Sequence, residues 1–96
     1  MLILLMVFVK NREGRMGQLI ADIQKNSKEI VRIDVSEFKE KEYINIRVWY
    51  YDFDGTAKPT QKGIALEIGK YEELKKAIDK VGDFLSDREN NSIPNE

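Results

Sequence analysis

Neither cysteine nor histidine occurs among the 96 residues. The first absence excludes a disulfide framework, a thiolate metal site and a cysteine nucleophile. The second removes the commonest general base and the commonest transition-metal ligand. Ser-His-Asp chemistry and His-ligated zinc hydrolysis are therefore excluded. A long apolar run is also lacking. The stretch MLILLMVFV at residues 1–9 is wholly apolar, but a membrane span needs roughly 20 such residues. It has no basic segment ahead of it and no small-residue cleavage site, so it does not read as a secretory leader. No membrane association is expected. Nor is there an excess of one charge: 16 Lys and Arg face 17 Asp and Glu, for a net charge of −1. That argues against coating nucleic acid by bulk charge, so charged patches matter more than the sum. Residues 1–27 carry four bases and two acids, residues 28–66 seven of each, and residues 67–96 five bases and eight acids.

What is present is the composition of an ordinary folded domain, with 42% hydrophobic, 34% charged and 9% aromatic residues. A chain this short builds only a modest core, and self-association is one route to further stability. The apolar run is either a buried or self-associating strand or an extension ahead of a start at Met6 or Met16; residues 1–17 are expected to be a dispensable extension, the run being followed by a polar link punctuated by glycine. Residues 18–85 are expected to form the domain, and residues 86–96 a polar, fraying tail that contains Pro94.

Within the domain, residues 18–24 could form a strand, and Asn26-Ser27-Lys28 is a turn signal. Residues 30–35 alternate cleanly, with Ile30, Arg32 and Asp34 on one side and Val31, Ile33 and Val35 on the other. Phe38-Lys39-Glu40-Lys41 reads as a charged turn. Residues 43–51 read as the longest strand: Ile44, Ile46 and Val48 share one face, Tyr43, Asn45, Arg47, Trp49 and Tyr51 the other. Asp52-Phe53-Asp54-Gly55 is a hairpin signal. A basic stretch, Lys58 to Gly63, precedes a short strand at residues 64–68. The period then changes. Tyr71, Leu74, Ile78, Val81 and Leu85 step by three and four, the seam of a helix from about Lys70 to Leu85. The seam is expected to pack on the sheet or across a dimer axis. One helix covers one face of an antiparallel sheet, so the other face must meet solvent, a second copy or a ligand.

Few groupings here carry chemistry. Asp52-Phe53-Asp54-Gly55 resembles the start of an EF-hand loop, but the Gly comes too early and the twelfth position is Gly63 rather than Glu. Residues 55–62 contain Gly, Lys and Thr, but not in phosphate-loop order. Glu72 and Glu73 lie beside Lys75, Lys76 and Lys80 on a solvated helix face. No carboxylate pair suits acid–base work. No catalytic residue, metal or cofactor is expected, and the chain does not read as an enzyme. The remaining set is aromatic and basic: Phe38, Lys39, Lys41, Tyr43, Arg47, Trp49, Tyr50, Lys58 and Lys62. Rings on an exposed sheet face stack unpaired bases, and interleaved cations neutralise phosphates. The same residue types also line cores and dimer interfaces.

The run FKEKEYINIRVWYYDFDGTAKPTQKGIAL, Phe38 to Leu66, resembles the C-terminal single-stranded-DNA-binding domain of the positive-cofactor-4 family of transcriptional coactivators. The family pattern is an F-K-G-K turn, an I-D-I-R strand with aromatics, D-x-x-G, and then K-P-G-x-K-G-I-x-L. The likeness extends over about residues 30–81. It implies an α+β fold, a curved four-stranded antiparallel sheet followed by one amphipathic C-terminal helix, in a homodimer whose sheets form a channel for single strands. It also implies that Phe38, Lys39, Lys41, Arg47, Lys58 and Lys62 contact nucleic acid. For the aromatic partner of Arg47, the R-x-W form selects Trp49, while the eukaryotic form selects Tyr50. Strand parity favours Trp49 unless a bulge intervenes.

Three positions depart from the pattern. Glu40 stands in place of the turn glycine, and Thr60 and Gln61 in place of a Gly and a frequent Arg. The Glu40 and Gln61 changes lower the local positive potential. The Ser-rich regulatory arm of the eukaryotic coactivators is lacking, which points to a prokaryotic, cytoplasmic, nucleoid-associated protein. The expected function is largely sequence-independent binding of single-stranded DNA in transcription or DNA maintenance, with the transcription machinery a candidate partner. RNA is not separated from DNA by these features. The alternative is a dimeric structural or protein-interaction module on the same fold, with weakened nucleic-acid binding.

Overall fold

The computed structural model describes residues 7–10 and 16–90. Five strands follow one another as β1 (Val7–Lys10), β2 (Met16–Gln24), β3 (Glu29–Phe38), β4 (Lys41–Tyr51) and β5 (Ala57–Glu67). A 3-10 turn (Ile68–Lys70) leads into α1 (Tyr71–Asn90). The strands lie in chain order in one curled sheet, β1-β2-β3-β4-β5, and every pair is antiparallel. The fold is α+β.

The sheet has five strands rather than the expected four. The additional strand is β1, in the segment read from sequence as extension and link. It pairs Val7 with Leu19 and Lys10 with Met16, because β2 would otherwise leave a row of unpaired backbone donors and acceptors. β5 is also longer than the expected 64–68. Its first residues, Ala57 to Pro59, pair with the end of β4 despite the proline. Proline is tolerated there because β5 is an edge strand and needs no donor on its outer side.

The turns follow local chemistry. Asn26 closes β2–β3 by accepting the amides of Lys28 and Glu29 on its side-chain oxygen, both at 2.9 Å. At Asp52-Phe53-Asp54-Gly55, the Gly55 amide donates to the Asp52 carbonyl at 2.9 Å and Gly55 sits at φ +85°. This is the left-handed conformation that glycine adopts without steric cost. The segment is a hairpin turn, as its Asp-Gly signal suggests.

Burial is thin. Among the described residues the buried apolar side chains are Ile30, Ile44 and Trp49. A second buried layer is polar: Asn45 Nδ2 donates to Asp34 Oδ1 at 2.7 Å and to Ser36 Oγ at 2.8 Å. Burial pushes the Asp34 carboxyl up, while the Asn45 hydrogen bond and the charges of Arg32 and Arg47 oppose that shift.

The helix does not cover the sheet within one chain. Leu74 is half-buried, but Tyr71, Val81 and Leu85 are exposed, and Ile78 is 60% exposed. The helix also runs on through Asn90, past Leu85. There Arg88 lies over the Phe84 ring at 5.6 Å, one helical turn along, and ties the last two turns together. The opposite apolar surface is open too: Ile20, Ile23, Ile64 and Ile68 are all exposed on the described sheet and turn.

Candidate nucleic-acid interface

The β3–β4 hairpin sets the geometry of the site. A two-residue turn at Lys39-Glu40 pairs Phe38 with Lys41. Counting outward along the ladder, Ser36 meets Tyr43, Asp34 meets Asn45, Arg32 meets Arg47 and Ile30 meets Trp49. Side chains alternate faces along a strand, so these pairs share one face. From Lys41 to Trp49 the track is about 26 Å long at the ordinary rise per strand residue. Its middle is buried, with Asp34 1% and Ser36 and Asn45 8% exposed, and its exposed side chains, Phe38 and Lys41, lie at the turn end.

Of the residues singled out from sequence, Phe38, Lys41, Tyr43, Arg47 and Trp49 fall on this face by register. Lys39 sits at the turn, with its ammonium 5.2 Å from the Phe38 ring centroid. Tyr50 pairs with Lys58 on the opposite face by register. The Lys58 ammonium lies 2.8 Å from Asp52 Oδ2. This hydrogen bond and charge hold the Lys58 pKa above its usual value and the Asp52 carboxyl below the usual carboxylate range. Lys41 has a longer pairing with Glu67 at 3.8 Å. Lys62 is exposed within a β5 irregularity.

That irregularity lies opposite Val48. Arg47 pairs with Gly63 and Trp49 with Pro59, so the extra residues are all on β5. Thr60 holds the bulge: its hydroxyl donates to the Val48 carbonyl at 2.7 Å and accepts from the Lys62 amide at 3.1 Å. The Thr60 carbonyl in turn accepts from Arg47 Nη1 at 3.1 Å. β4 itself keeps its parity, which leaves Trp49 on the face of Arg47 and Tyr50 off it.

Trp49 is not the open platform that its pattern suggests. It is 3% exposed, and the Arg32 guanidinium covers its ring at 4.5 Å from the centroid. Arg32 is fixed in turn by β2: Nε donates to Asp22 Oδ1 at 2.8 Å and Nη2 to Asp22 Oδ2 at 3.0 Å. Sequence reasoning missed Arg32, Asp22 and Thr60 as parts of this region. The turn alone could have supplied Arg32, because a two-residue connection at Lys39-Glu40 places it opposite Arg47. No group of three or more acidic side chains that could hold a metal occurs among the described residues. Among them, too, no helix is long and apolar enough to cross a membrane.

The hairpin tip carries a local cost. Lys39 and Glu40 both have positive φ, 51° and 66°, as a type I′ turn demands of its two central residues. Side chains with a Cβ adopt that region at a cost of about 1 kcal/mol or more. Glu40→Gly should therefore stabilise the fold by about 1 kcal/mol, raising the melting temperature by about 4–8 °C. It also removes a carboxylate from between Lys39 and Lys41, so binding of polyanions should tighten. A thermal melt with no upward shift would refute the strain.

Known proteins share this architecture. The family model described as Transcriptional Coactivator p15 (PC4) matches residues 25–77, more than half of the chain. A Caenorhabditis elegans protein named "Putative RNA polymerase II transcriptional coactivator" is 44% identical over 48 residues, which are 49% of this chain and 39% of that protein. The matched segment thus spans about two fifths of that relative's length. Among solved structures, a PC4 homolog from Burkholderia pseudomallei superposes with a TM-score of 0.66 at 26% identity, over 69% of this chain and 89% of the other. The bacteriophage T5 homolog of the eukaryotic coactivator PC4, implicated in recombination-dependent DNA replication, gives 0.55 at 29% identity, over 76% and 81%. MoSub1, solved in complex with single-stranded DNA, gives 0.55 at 32% identity, over 81% and 84%. The matched residues contain the β3–β4 hairpin, the Thr60 bulge and the start of the helix, and this chain belongs to the PC4 family of transcriptional coactivators.

Proposed function

We propose that the chain is a homodimeric single-stranded-DNA-binding protein that acts in transcription or DNA maintenance, located with the DNA in the nucleoid of a prokaryotic cell. The observation that carries this reading is the register that puts Phe38, Lys41, Tyr43, Arg32 and Arg47 on one face of β3 and β4, in a family member whose relative MoSub1 was solved with single-stranded DNA. Phe38, Lys39, Lys41, Arg47 and Lys62 supply phosphate and ring contacts. Lys58 and Tyr50 contribute from the sheet end, with Lys58 exchanging Asp52 for a phosphate. Such contacts read no base edges, so binding is largely independent of sequence.

Self-association is supported by the unpartnered apolar surfaces. The Tyr71, Ile78 and Val81 side of the helix and the Ile20, Ile23, Ile64 and Ile68 side of the sheet and turn leave large apolar side chains exposed, and exposed apolar patches mark interaction surfaces. A second copy offers both surfaces at once, and light scattering should give twice the 11.2 kDa mass of the chain. The binding domain itself is proposed to span residues 18–85, with residues 1–17 a dispensable extension and residues 86–96 a polar tail.

Arg47→Ala tests the assignment of the face. It should weaken oligo-dT binding about tenfold, the scale of one charge-assisted hydrogen bond, with little change in melting temperature. Undiminished binding would place the nucleic acid elsewhere.

A second reading keeps the fold and the dimer but not the nucleic-acid function. It rests on the carboxylates that already occupy the cations: Asp52 on Lys58 and Glu67 on Lys41, with Glu40 between Lys39 and Lys41. Under that reading the folded protein passes through a single-stranded-DNA column at moderate salt.

A further inference from the structure

Arg32 and Arg47 stand directly opposite one another on neighbouring strands. Like charges in that position repel. Asp22 answers one of the two: it engages Nε and Nη2 of Arg32. Among the described residues no carboxylate pairs with Arg47, whose Nη1 goes to the Thr60 carbonyl. Asp34, next along the same face, feels the charge of both arginines, but it is 1% exposed, accepts from Asn45 and makes no direct ion pair with either.

Arg32 is also held unusually still for an arginine. One face of its guanidinium lies on Trp49, one edge is bound by Asp22, and its side chain is 12% exposed. The two N–H groups of Nη1 have no acceptor among the described residues. A planar donor fixed on two sides has lost its rotamer entropy before any ligand arrives, which favours phosphate recognition.

We propose that Arg32 is a second phosphate-binding arginine beside Arg47, and that Trp49 and Asp22 act as its mount. The ligand class is the backbone phosphate of a single-stranded nucleic acid, so the inference rests on the function proposed above. Trp49 then acts by positioning Arg32 rather than by stacking on a base.

The test is fluorescence anisotropy of labelled oligo-dT with the full chain across a series of salt concentrations, for the wild type, Arg32→Gln and Arg32→Lys. Each phosphate contact contributes about 0.7 to the slope of log affinity against log salt for single strands. Arg32→Gln should reduce that slope by about 0.7 and weaken binding about fivefold to tenfold at about 0.1 M salt. Arg32→Lys should keep the slope, because it keeps the charge. A wild-type slope in Arg32→Gln, with or without weaker binding, would show that Arg32 only packs on Trp49 and would overturn the proposal. Should Arg32→Gln fail to fold, the side-chain N–H signals of Arg32 in the wild-type NMR spectrum decide. They move on adding oligo-dT if Arg32 meets phosphate; unmoved signals, with oligo-dT bound, overturn it. A folded wild type that does not bind oligo-dT would overturn the underlying reading, which is distinct from binding that is indifferent to Arg32.

Discussion

Gly63→Ala is expected to lower the melting temperature by roughly 15 °C and to abolish binding along the β4–β5 edge. A Cβ at Gly63 would lie 2.5 Å from the Ile46 carbonyl oxygen, 2.7 Å from Arg47 Cα and 2.8 Å from Arg47 Cβ. None of these atoms can turn aside, since two are backbone and the third is fixed to it. β5 must then shift away from β4, which costs about 3 kcal/mol or more. A domain of this size has on the order of 5–14 kcal/mol in total. The shift also displaces the Thr60 bulge that anchors Arg47. Gly69→Ala is the control. Its Cβ would meet nothing within 4 Å, and it should leave melt and binding near the wild type. Equal melts for the two variants would contradict the close approach of β5 to Arg47.

Trp49→Ala should cost about 3–5 kcal/mol, the range for removing a large buried ring. The residue is 3% exposed and underlies Arg32. Loss of binding in this variant therefore follows from loss of structure, and the alanine alone says nothing about stacking. Trp49→Phe separates the two. It keeps a ring beneath Arg32 and removes an indole N–H that is buried without a hydrogen-bond partner among the described residues. The smaller volume and the removed polar atom act in opposite directions. Trp49→Phe should thus melt well above Trp49→Ala and retain most oligo-dT binding. A phenylalanine variant that folds like the wild type yet loses binding would restore direct stacking on the indole.

Much of this arrangement is legible in the residues, and the exceptions have physical causes. The β3–β4 register follows from the turn, because a two-residue connection at Lys39-Glu40 leaves one alignment of Arg32, Arg47 and Trp49. The helical seam follows from the spacing of Tyr71, Leu74, Ile78 and Val81. Its partner does not, since an apolar stripe shows that burial is favoured but not which surface provides it. A strand is one of two readings open for MLILLMVFV, and the run does not decide between them because it has no alternation to assign a face. The first half of β5 was hidden by Pro59, which reads as a break unless the strand is known to lie at an edge. The burial of Trp49 depends on Arg32 crossing over it and on Asp22 arriving from β2. β2 reaches that alignment only through a bulge between Leu19 and Ala21, and nothing in the local pattern marks that bulge.

The central claim is that one face of β3–β4 binds single strands through phosphates and rings. It is tested most directly by titrating the wild-type chain with labelled oligo-dT and with duplex DNA of equal length, at two salt concentrations, reading anisotropy. The predicted result is binding to the single strand that is tighter than to the duplex and weaker at the higher salt. A folded protein that binds neither at the lower salt, or that binds duplex as well as single strand, would contradict it.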